Sequence, residues 1–184
     1  MERQKAFNLL RENIKSEKMI IHSLSSEAVL RAIARKIGKD EDKYGLAGLL
    51  HDIDVEITDA DPKTHGLKAI EILEKHNIAE DIIDAISMHN EEATGKEREK
   101  EFQHALAAGE TITGLIYATA LIYPDKKIAS VKYKSVRKRM KQNAFAAKVK
   151  RENIMECEKI GIPLDEFIQI SVDAMCDISD EIGL

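Results

Sequence analysis

The sequence predicts an all-α protein, and three features of composition and pattern support that class. Hydrophobic residues make up 43% and charged residues 33% of the 184 residues, whereas aromatic residues reach only 4%. The 3 prolines and 9 glycines are too few for the many turns of a β-sandwich or barrel. Apolar residues recur at helical spacing along most of the chain. A chain of this length can bury a substantial core within one domain.

Two helices are predicted before residue 38. Apolar residues at helical spacing between Glu2 and Ile14 predict the first. Ser16 is then placed to cap a second helix, and Gly38 is a typical residue to end it. The second helix therefore spans about 20 residues.

A third helix, capped by Asp40, is predicted to end at about His51. Residues 53–61 lack a helical period, which indicates a loop. Asp61 and Pro62 form an N-cap followed by proline at the first helical position, which predicts that a helix begins there. The predicted helices after the loop cover residues 62–76, 79–89 and 97–123, the last being the central core element.

The chain changes character after Pro124. Residues 126–151, the basic segment, contain 11 lysines and arginines and no acidic residue, although the net charge of the chain is -5. One or two short helices are expected there, followed by helices over 152–160 and 164–182. We expect a single domain over 1–184, with its core at about 15–123. Residues 124–184 are expected to form either a subdomain or a flank packed on that core.

The sequence argues against a secreted, membrane-spanning or thiol-based protein. The N-terminus carries charges where a signal peptide needs an apolar stretch, and the longest uncharged run, residues 111–123, is short for a membrane span. Cys157 and Cys176 show neither a CxxC spacing nor a third partner, so we interpret both as small hydrophobic residues. We therefore expect a cytoplasmic protein without a membrane partner.

Histidines in the first half of the chain carry the main functional evidence. His22, His51, His65 and His89 all lie within the first 90 residues, near predicted helix ends or on helices that can converge. His51 is followed directly by Asp52 in the segment LAGLLHDID. Neighbours on a regular helix diverge by about 100°, so these two side chains can share a metal only where the helix ends. A capping pair at a helix end is the simpler alternative for this dyad, and a core histidine is the simpler alternative for His22.

These residues resemble the HD superfamily of metal-dependent phosphohydrolases, in particular its HDIG-type branch. The family order is His, His-Asp, two further His and a distal Asp on a long helix. The corresponding segments here are IIHSLSSEAVLRAIARKIG, GLAGLLHDID, DPKTHG, AISMHN and ALAAGETITG. The similarity covers about residues 15–145 and implies an HD-domain helical bundle, here with additional C-terminal helices.

The resemblance implies a divalent metal cofactor of one or two ions. The implied ligands of a first metal are His22, His51, Asp52 and Glu110, while Asp52 would bridge to a second metal on His65 and His89. Nitrogen and oxygen ligands without a thiolate suit Mn, Fe, Ni, Co or Zn, and also Mg. Glu110 departs from the family Asp, so its longer side chain either reaches the metal from a helix slightly farther away or weakens the site.

The implied activity is hydrolysis of a small phosphorylated molecule, such as a nucleotide, by metal-activated water. Asp52 and Asp54 are the expected catalytic carboxylates, with Asp54, ahead of Glu56, orienting the nucleophile or a ligand imidazole. A non-catalytic HD module that binds metal or an anionic ligand in regulation is the alternative. His104 is expected to be structural.

Within the basic segment, four residues are candidates to bind the phosphate of a substrate. They are Lys132, Lys134, Arg137 and Lys138. A solvated basic helix explains the same pattern equally well. Only Tyr133 and Phe145 offer aromatic rings for stacking in this segment, so nucleic acid is the less favoured partner.

Overall fold

Helices account for all the regular secondary structure in the computed structural model, which describes residues 1–184. Two 3-10 helices, Ile128–Ser130 and Glu156–Ile160, accompany eleven α-helices, and there is no strand. The all-α prediction is therefore confirmed. The α-helices are α1 (Arg3–Asn13), α2 (Glu17–Ile37), α3 (Glu41–Leu50), α4 (Leu67–Lys75), α5 (Glu80–Ser87), α6 (Glu91–Thr94), α7 (Glu101–Leu121), α8 (Tyr133–Met140), α9 (Arg151–Met155), α10 (Leu164–Asp177) and α11 (Ser179–Ile182).

The long helices α2 and α7 form the centre of the bundle. α3 packs mainly on α2, while α5 and α9 pack on α7. α10 lies against both α2 and α7. One cluster of 45 buried apolar residues extends from Ala6 to Ile182. No helix combines the length and apolar character that crossing a membrane requires.

The predicted capping residues give the correct start for some helices and the wrong start for others. The Asp40 carboxylate accepts a hydrogen bond from the Lys43 backbone amide at 3.0 Å, as predicted for the start of α3. Ser16 holds the N-cap position of α2, but its hydroxyl makes no capping bond. The carboxylate of Glu56 instead accepts bonds from the Lys15 and Ser16 amides. The exposed carboxylate of Glu56, which ranks behind Asp54 as an orienting group, is therefore bound at the start of α2.

The predicted start of a helix at residue 62 is wrong. Asp61 caps a turn, in which its carboxylate accepts from the Lys63 amide, and α4 begins only after Gly66. Gly66 has φ of 93°, a conformation that interrupts any helix and favours glycine. The long helix α7 likewise begins at Glu101 rather than residue 97, and the short helix α6 was not predicted.

Close contact between α2 and α3 depends on a glycine. A Cβ atom at Gly48 would lie 2.6 Å from the backbone carbonyl oxygen of Ser26, closer than real Cβ contacts allow. Since the obstacle is backbone, it cannot move aside as a side chain could. Gly48 thereby brings the end of α3 against α2, where the His51-Asp52 dyad follows.

We predict that Gly48→Ala lowers the free energy of unfolding by about 2 kcal/mol, because the new methyl group overpacks this contact. The control is Gly114→Ala on α7, where the new Cβ would meet only the Val149 side chain, at 3.3 Å. That variant should be neutral or gain up to ~1 kcal/mol from helix propensity. Urea denaturation monitored by circular dichroism measures both, and equal stabilities would contradict the role assigned to Gly48.

Candidate metal centre

The end of α3 turns the His51-Asp52 dyad towards one point. α3 ends at Leu50, His51 is its C-cap residue, and turns follow up to residue 60. The Nε2 atom of His51 lies 3.4 Å from the Oδ2 atom of Asp52. Both residues are buried. The helix end expected at the dyad is thus present, and it allows two adjacent residues to face the same ligand position.

A first group of ligand atoms joins the dyad to α2. The Nε2 atoms of His22 and His51 are 3.2 Å apart. The Oδ2 atom of Asp52 lies 3.4 Å from the His22 Nε2 atom. Residues 29 positions apart in the chain therefore direct two imidazole nitrogens and one carboxylate oxygen at a common point.

A second group uses the other oxygen of the same carboxylate. The Oδ1 atom of Asp52 is 3.0 Å from the His65 Nε2 atom and 3.5 Å from the His89 Nε2 atom. The two imidazole nitrogens are themselves 3.0 Å apart. Asp52 consequently offers one oxygen to each group.

Hydrogen bonds at the far side of each ring fix its orientation. The Nδ1 atoms of His51 and His89 donate to the carbonyl oxygens of Gly48 and Ile86, which can only accept. The Thr113 hydroxyl donates to the carbonyl oxygen of Glu110, so it accepts from the Nδ1 atom of His22. Each Nε2 atom is thereby directed at the centre, as in metal sites whose ligands are held by outer partners.

Asp54 holds the fourth imidazole. Its carboxylate accepts from His65 Nδ1 at 2.8 Å and from the backbone amides of Gly66 and Ala69 at 2.7 and 3.0 Å. The side chain is fully buried. Of the two roles expected for Asp54, this geometry supports the orientation of a ligand imidazole.

Glu110 lies beside the first group. Its Oε2 atom is 3.8 Å from His22 Nε2, and its other oxygen accepts a hydrogen bond from the Thr111 hydroxyl. Burial raises the pKa of Glu110 above its ordinary value, although the neighbouring His51 acts in the opposite sense. Glu110 therefore lies at the centre, as predicted. It does not belong to the group of ligand atoms from His22, His51 and Asp52 that lie within 4.8 Å of one another.

The electrostatics favour a cation between the imidazoles. Burial opposes the charge on Asp52, but His51 and the other imidazoles outweigh it and hold the pKa of this carboxyl well below its ordinary value. Burial lowers the pKa of His22 to about 4, so this ring is neutral, the form that binds metal. Burial also opposes charge on His65, yet hydrogen bonds to Asp52 and Asp54 raise its pKa to about 10. A proton on the His65 Nε2 atom occupies the lone pair that a metal ion would use. Binding of a metal ion would therefore release this proton.

The spacing and chemistry of the two groups fit divalent metals. Two ligands bonded to one cation at about 2.1 Å lie roughly 3.0–3.4 Å apart at octahedral or tetrahedral angles. The distances above match that spacing, and the donors are imidazole nitrogens and carboxylate oxygens, a set suited to transition metals. His22, His51 and Asp52 would hold one ion, and Asp52, His65 and His89 a second.

A buried ion-pair network that the sequence did not reveal supports the second group. The Arg98 guanidinium donates to the backbone carbonyl oxygens of Met88 and His89 and to the Asn153 side chain. It also pairs with Glu156, which accepts from His104 at 2.7 Å. This contact gives His104 the structural role expected for it. Arg98 stands in the charged run KEREKE, which has the pattern of a solvated surface, so nothing in the sequence marked it.

The centre opens into a cavity of about 280 Å³. Lys148, Val149 and Lys150, from the end of the basic segment, line it together with His22, His65 and His89. The four residues expected to bind phosphate, Lys132, Lys134, Arg137 and Lys138, do not line it. They lie on or next to α8, where Arg137 pairs with Asp165 of α10.

The fold and site together define an all-helical protein with a paired histidine and carboxylate centre built on a His-Asp dyad. The family model described as HD domain matches residues 19–143. The chain belongs to the HD domain family, as its resemblance in sequence predicted. The expected boundaries of that resemblance, about 15 and 145, agree with the match.

Curated proteins similar to this chain are named Ribonuclease Y. The one from Mycoplasma mycoides subsp. mycoides is 33% identical over 97 residues, which cover 53% of this chain and 18% of the relative. The one from Nitratidesulfovibrio vulgaris is 35% identical over 81 residues, or 44% of this chain and 16% of the relative. The chain thus spans less than a fifth of the length of these relatives. No solved structure matches it significantly.

We predict that the two groups of ligands bind metal separately and that Asp52 serves both. The wild-type protein should bind about two Mn or Ni ions, Asp52→Ala none and His89→Ala about one, because only the second group contains His89. Inductively coupled plasma mass spectrometry of reconstituted, desalted protein measures this. The exposed His76 provides the control, since His76→Ala should bind as the wild type does. Full occupancy in His89→Ala would contradict the second site.

We predict a pH-dependent loss of stability in Glu156→Gln. Burial tends to raise the pKa of Glu156, but hydrogen bonds from Arg98 and His104 outweigh it and lower the pKa. The carboxylate therefore stabilises the fold above its unfolded pKa of about 4.5, and this contribution disappears as the pH falls through the lower folded value. Urea denaturation of metal-free protein should show a deficit of about 2 kcal/mol at pH 7 that shrinks below pH 4.5.

The exposed Glu158 lies on the same 3-10 helix and supplies the matched control. Glu158→Gln should match the wild type at every pH. A deficit in Glu156→Gln that does not change with pH would show that the carboxylate charge is not what Arg98 requires.

Proposed function

We propose that this protein is a metal-dependent phosphohydrolase that acts on a small phosphorylated molecule. The observation that carries the proposal is the division of the Asp52 carboxylate between two groups of imidazoles at the base of an open cavity. Membership of the HD domain family supports the same reaction class. Paired metal sites are a common device for hydrolysis of phosphate esters.

Each part of the site has a task in this reaction. Divalent metal ions would supply Lewis-acid polarisation of a phosphoryl oxygen and make water more acidic. Asp52 sets the position of both ligand groups, and Asp54 keeps the His65 ring in the orientation that binds metal. Lys148 and Lys150 line the cavity and supply positive charge that suits the oxygens of a phosphate, although the Lys150 Nζ atom also pairs with Glu92 at 3.1 Å.

The loop that carries these lysines is held by one arginine. The Arg151 guanidinium donates to the backbone carbonyl oxygens of Ala146 and Val149 at 2.7 Å each, and also to that of Phe145. These bonds fix the backbone on either side of Lys148. The backbone that carries Lys148 is therefore ordered before a substrate arrives, which avoids part of the entropic cost of binding.

A non-catalytic role remains the second candidate, and Glu110 is the observation that favours it. Its carboxylate is 3.8 Å from His22, at a position where the family has an aspartate. If this departure has removed activity, Glu110→Asp should create turnover without a change in metal content. If the wild type already hydrolyses phosphate esters, the same substitution should leave the rate within about tenfold.

The relatives named Ribonuclease Y make RNA the other substrate to test. A cavity of about 280 Å³ accommodates a phosphate with a small organic group more readily than a folded polymer. RNA binding through the basic segment would also weaken steeply as salt increases. Hydrolysis of an RNA oligonucleotide, without hydrolysis of small phosphate esters, would overturn the small-molecule assignment.

We predict that Lys148→Ala with Lys150→Ala raises the KM for a small phosphomonoester about tenfold, since two charges near the phosphate are lost. kcat should change less, because the metal ligands are intact. Release of inorganic phosphate by metal-loaded protein measures both constants.

The matched control removes two lysines of α8 that lie outside the cavity. Lys134→Ala with Lys138→Ala removes the same charge from the same segment and should leave the KM unchanged. Equal effects of the two double variants would show that the net charge of the segment acts on the substrate, rather than the two lysines over the centre.

A further inference from the structure

A second, apolar groove lies next to the metal centre, between α2 and α7. Its volume is about 350 Å³, within the range of pockets that hold small molecules. Apolar side chains provide most of its wall, namely Met19, Ile21, Tyr117, Ala118 and Leu121. None of these apolar residues is a candidate metal ligand, so the metal centre does not account for the groove.

The groove and the metal cavity share their dividing wall. His22, Gly114 and Val149 line both. Val149 belongs to the loop held by Arg151, and its Cγ2 atom would lie 3.3 Å from a Cβ atom at Gly114. The Val149 side chain of this loop therefore lies next to α7 at the boundary between the two spaces. The two spaces therefore adjoin at His22, Gly114 and Val149, close enough for the two ends of one small molecule to occupy both.

A buried hydroxyl in the groove lacks a partner. Ser25 lines the groove and is 1% exposed, yet its Oγ atom makes no hydrogen bond. Buried hydroxyls are rarely left unpaired, because the lost bond with water is costly. A change of the Ser25 rotamer would turn this hydroxyl towards the groove, where a bound group with one polar atom among apolar ones would satisfy it and cover the apolar wall.

We propose that this groove binds the organic group of the substrate, and that this group is an apolar ring bearing a hydrogen-bonding atom. The substrate class is then a phosphomonoester with its phosphate over the metal centre, beneath Lys148 and Lys150, and its ring between α2 and α7. The inference rests on the proposed function, because the phosphate fixes which end of the molecule faces the metals. It excludes inorganic pyrophosphate and short aliphatic phosphates as preferred substrates.

The test uses two phosphonates that cannot be hydrolysed, so that differences in leaving group do not enter. Isothermal titration calorimetry of metal-loaded protein should show at least tenfold tighter binding of phenylphosphonate than of methylphosphonate, since only the former fills the groove. Ala118→Trp fills the groove from its wall and should abolish this preference. Metal content and the affinity for methylphosphonate should stay unchanged.

A milder pair of variants guards against misfolding of Ala118→Trp. Leu121 lines the groove and Ile122 does not, although both are exposed, at 43% and 50%. Leu121→Ser should reduce the preference for phenylphosphonate several-fold, whereas Ile122→Ser should not. An undiminished preference in Leu121→Ser and in folded Ala118→Trp would overturn the assignment of the groove.

The remaining outcomes separate this inference from the proposed function. If both phosphonates bind the metal-loaded wild type with equal affinity, the phosphate site stands and the groove has another occupant, such as a segment of a partner protein. If neither phosphonate binds, the proposed function and the inference fail together.

Discussion

One carboxylate determines how the rest of the protein is arranged. Asp52 presents a different oxygen to each of two imidazole groups, so α2, α3 and the segments that carry His65 and His89 must all meet at this side chain. The meeting is possible because α3 ends at Leu50 and approaches α2 closely at Gly48. The bundle therefore serves to bring four imidazole rings to one buried charge.

Burying so many polar groups requires partners for all of them. Carbonyl oxygens, the Thr113 hydroxyl and the Asp54 carboxylate hold the outer side of the four rings. Further out, Arg98 ties the backbone of His89 to Asn153 and Glu156 in the C-terminal part of the chain. Residues beyond the family match thus support a centre that lies within it. Loss of one partner would leave another buried and uncompensated, which is why such networks tolerate little change.

The charge of the basic segment does not predict where each of its lysines and arginines lies in the structure. The segment's charge predicted an anion-binding role, yet less than a third of it forms α8, where Val136 and Met140 pack into the core and Arg137 pairs with Asp165 of α10. Only its last turn places lysines over the metal cavity. Arg151, the last residue of the segment, donates hydrogen bonds to backbone carbonyl oxygens of the same segment. Equal charges along one segment therefore have different tasks, which depend on the surface that each one faces.

Local patterns in the sequence determined the helix class and the bounds of the first three helices, because helical spacing and the cap at Asp40 are short-range features. The candidate ligands came from the order of histidines and carboxylates over residues 22–110, which resembles the HD family. Local patterns misplaced α4, since Asp61 and Pro62 have the local pattern of a helix start but cap only a turn, and the helix begins after Gly66. Only the tertiary structure decided that Asp54 orients His65, that Lys148 rather than Lys132 reaches the cavity, and that Arg98 is buried. Each of these depends on contacts between residues far apart in the chain, and a single sequence does not encode such distances in any local pattern.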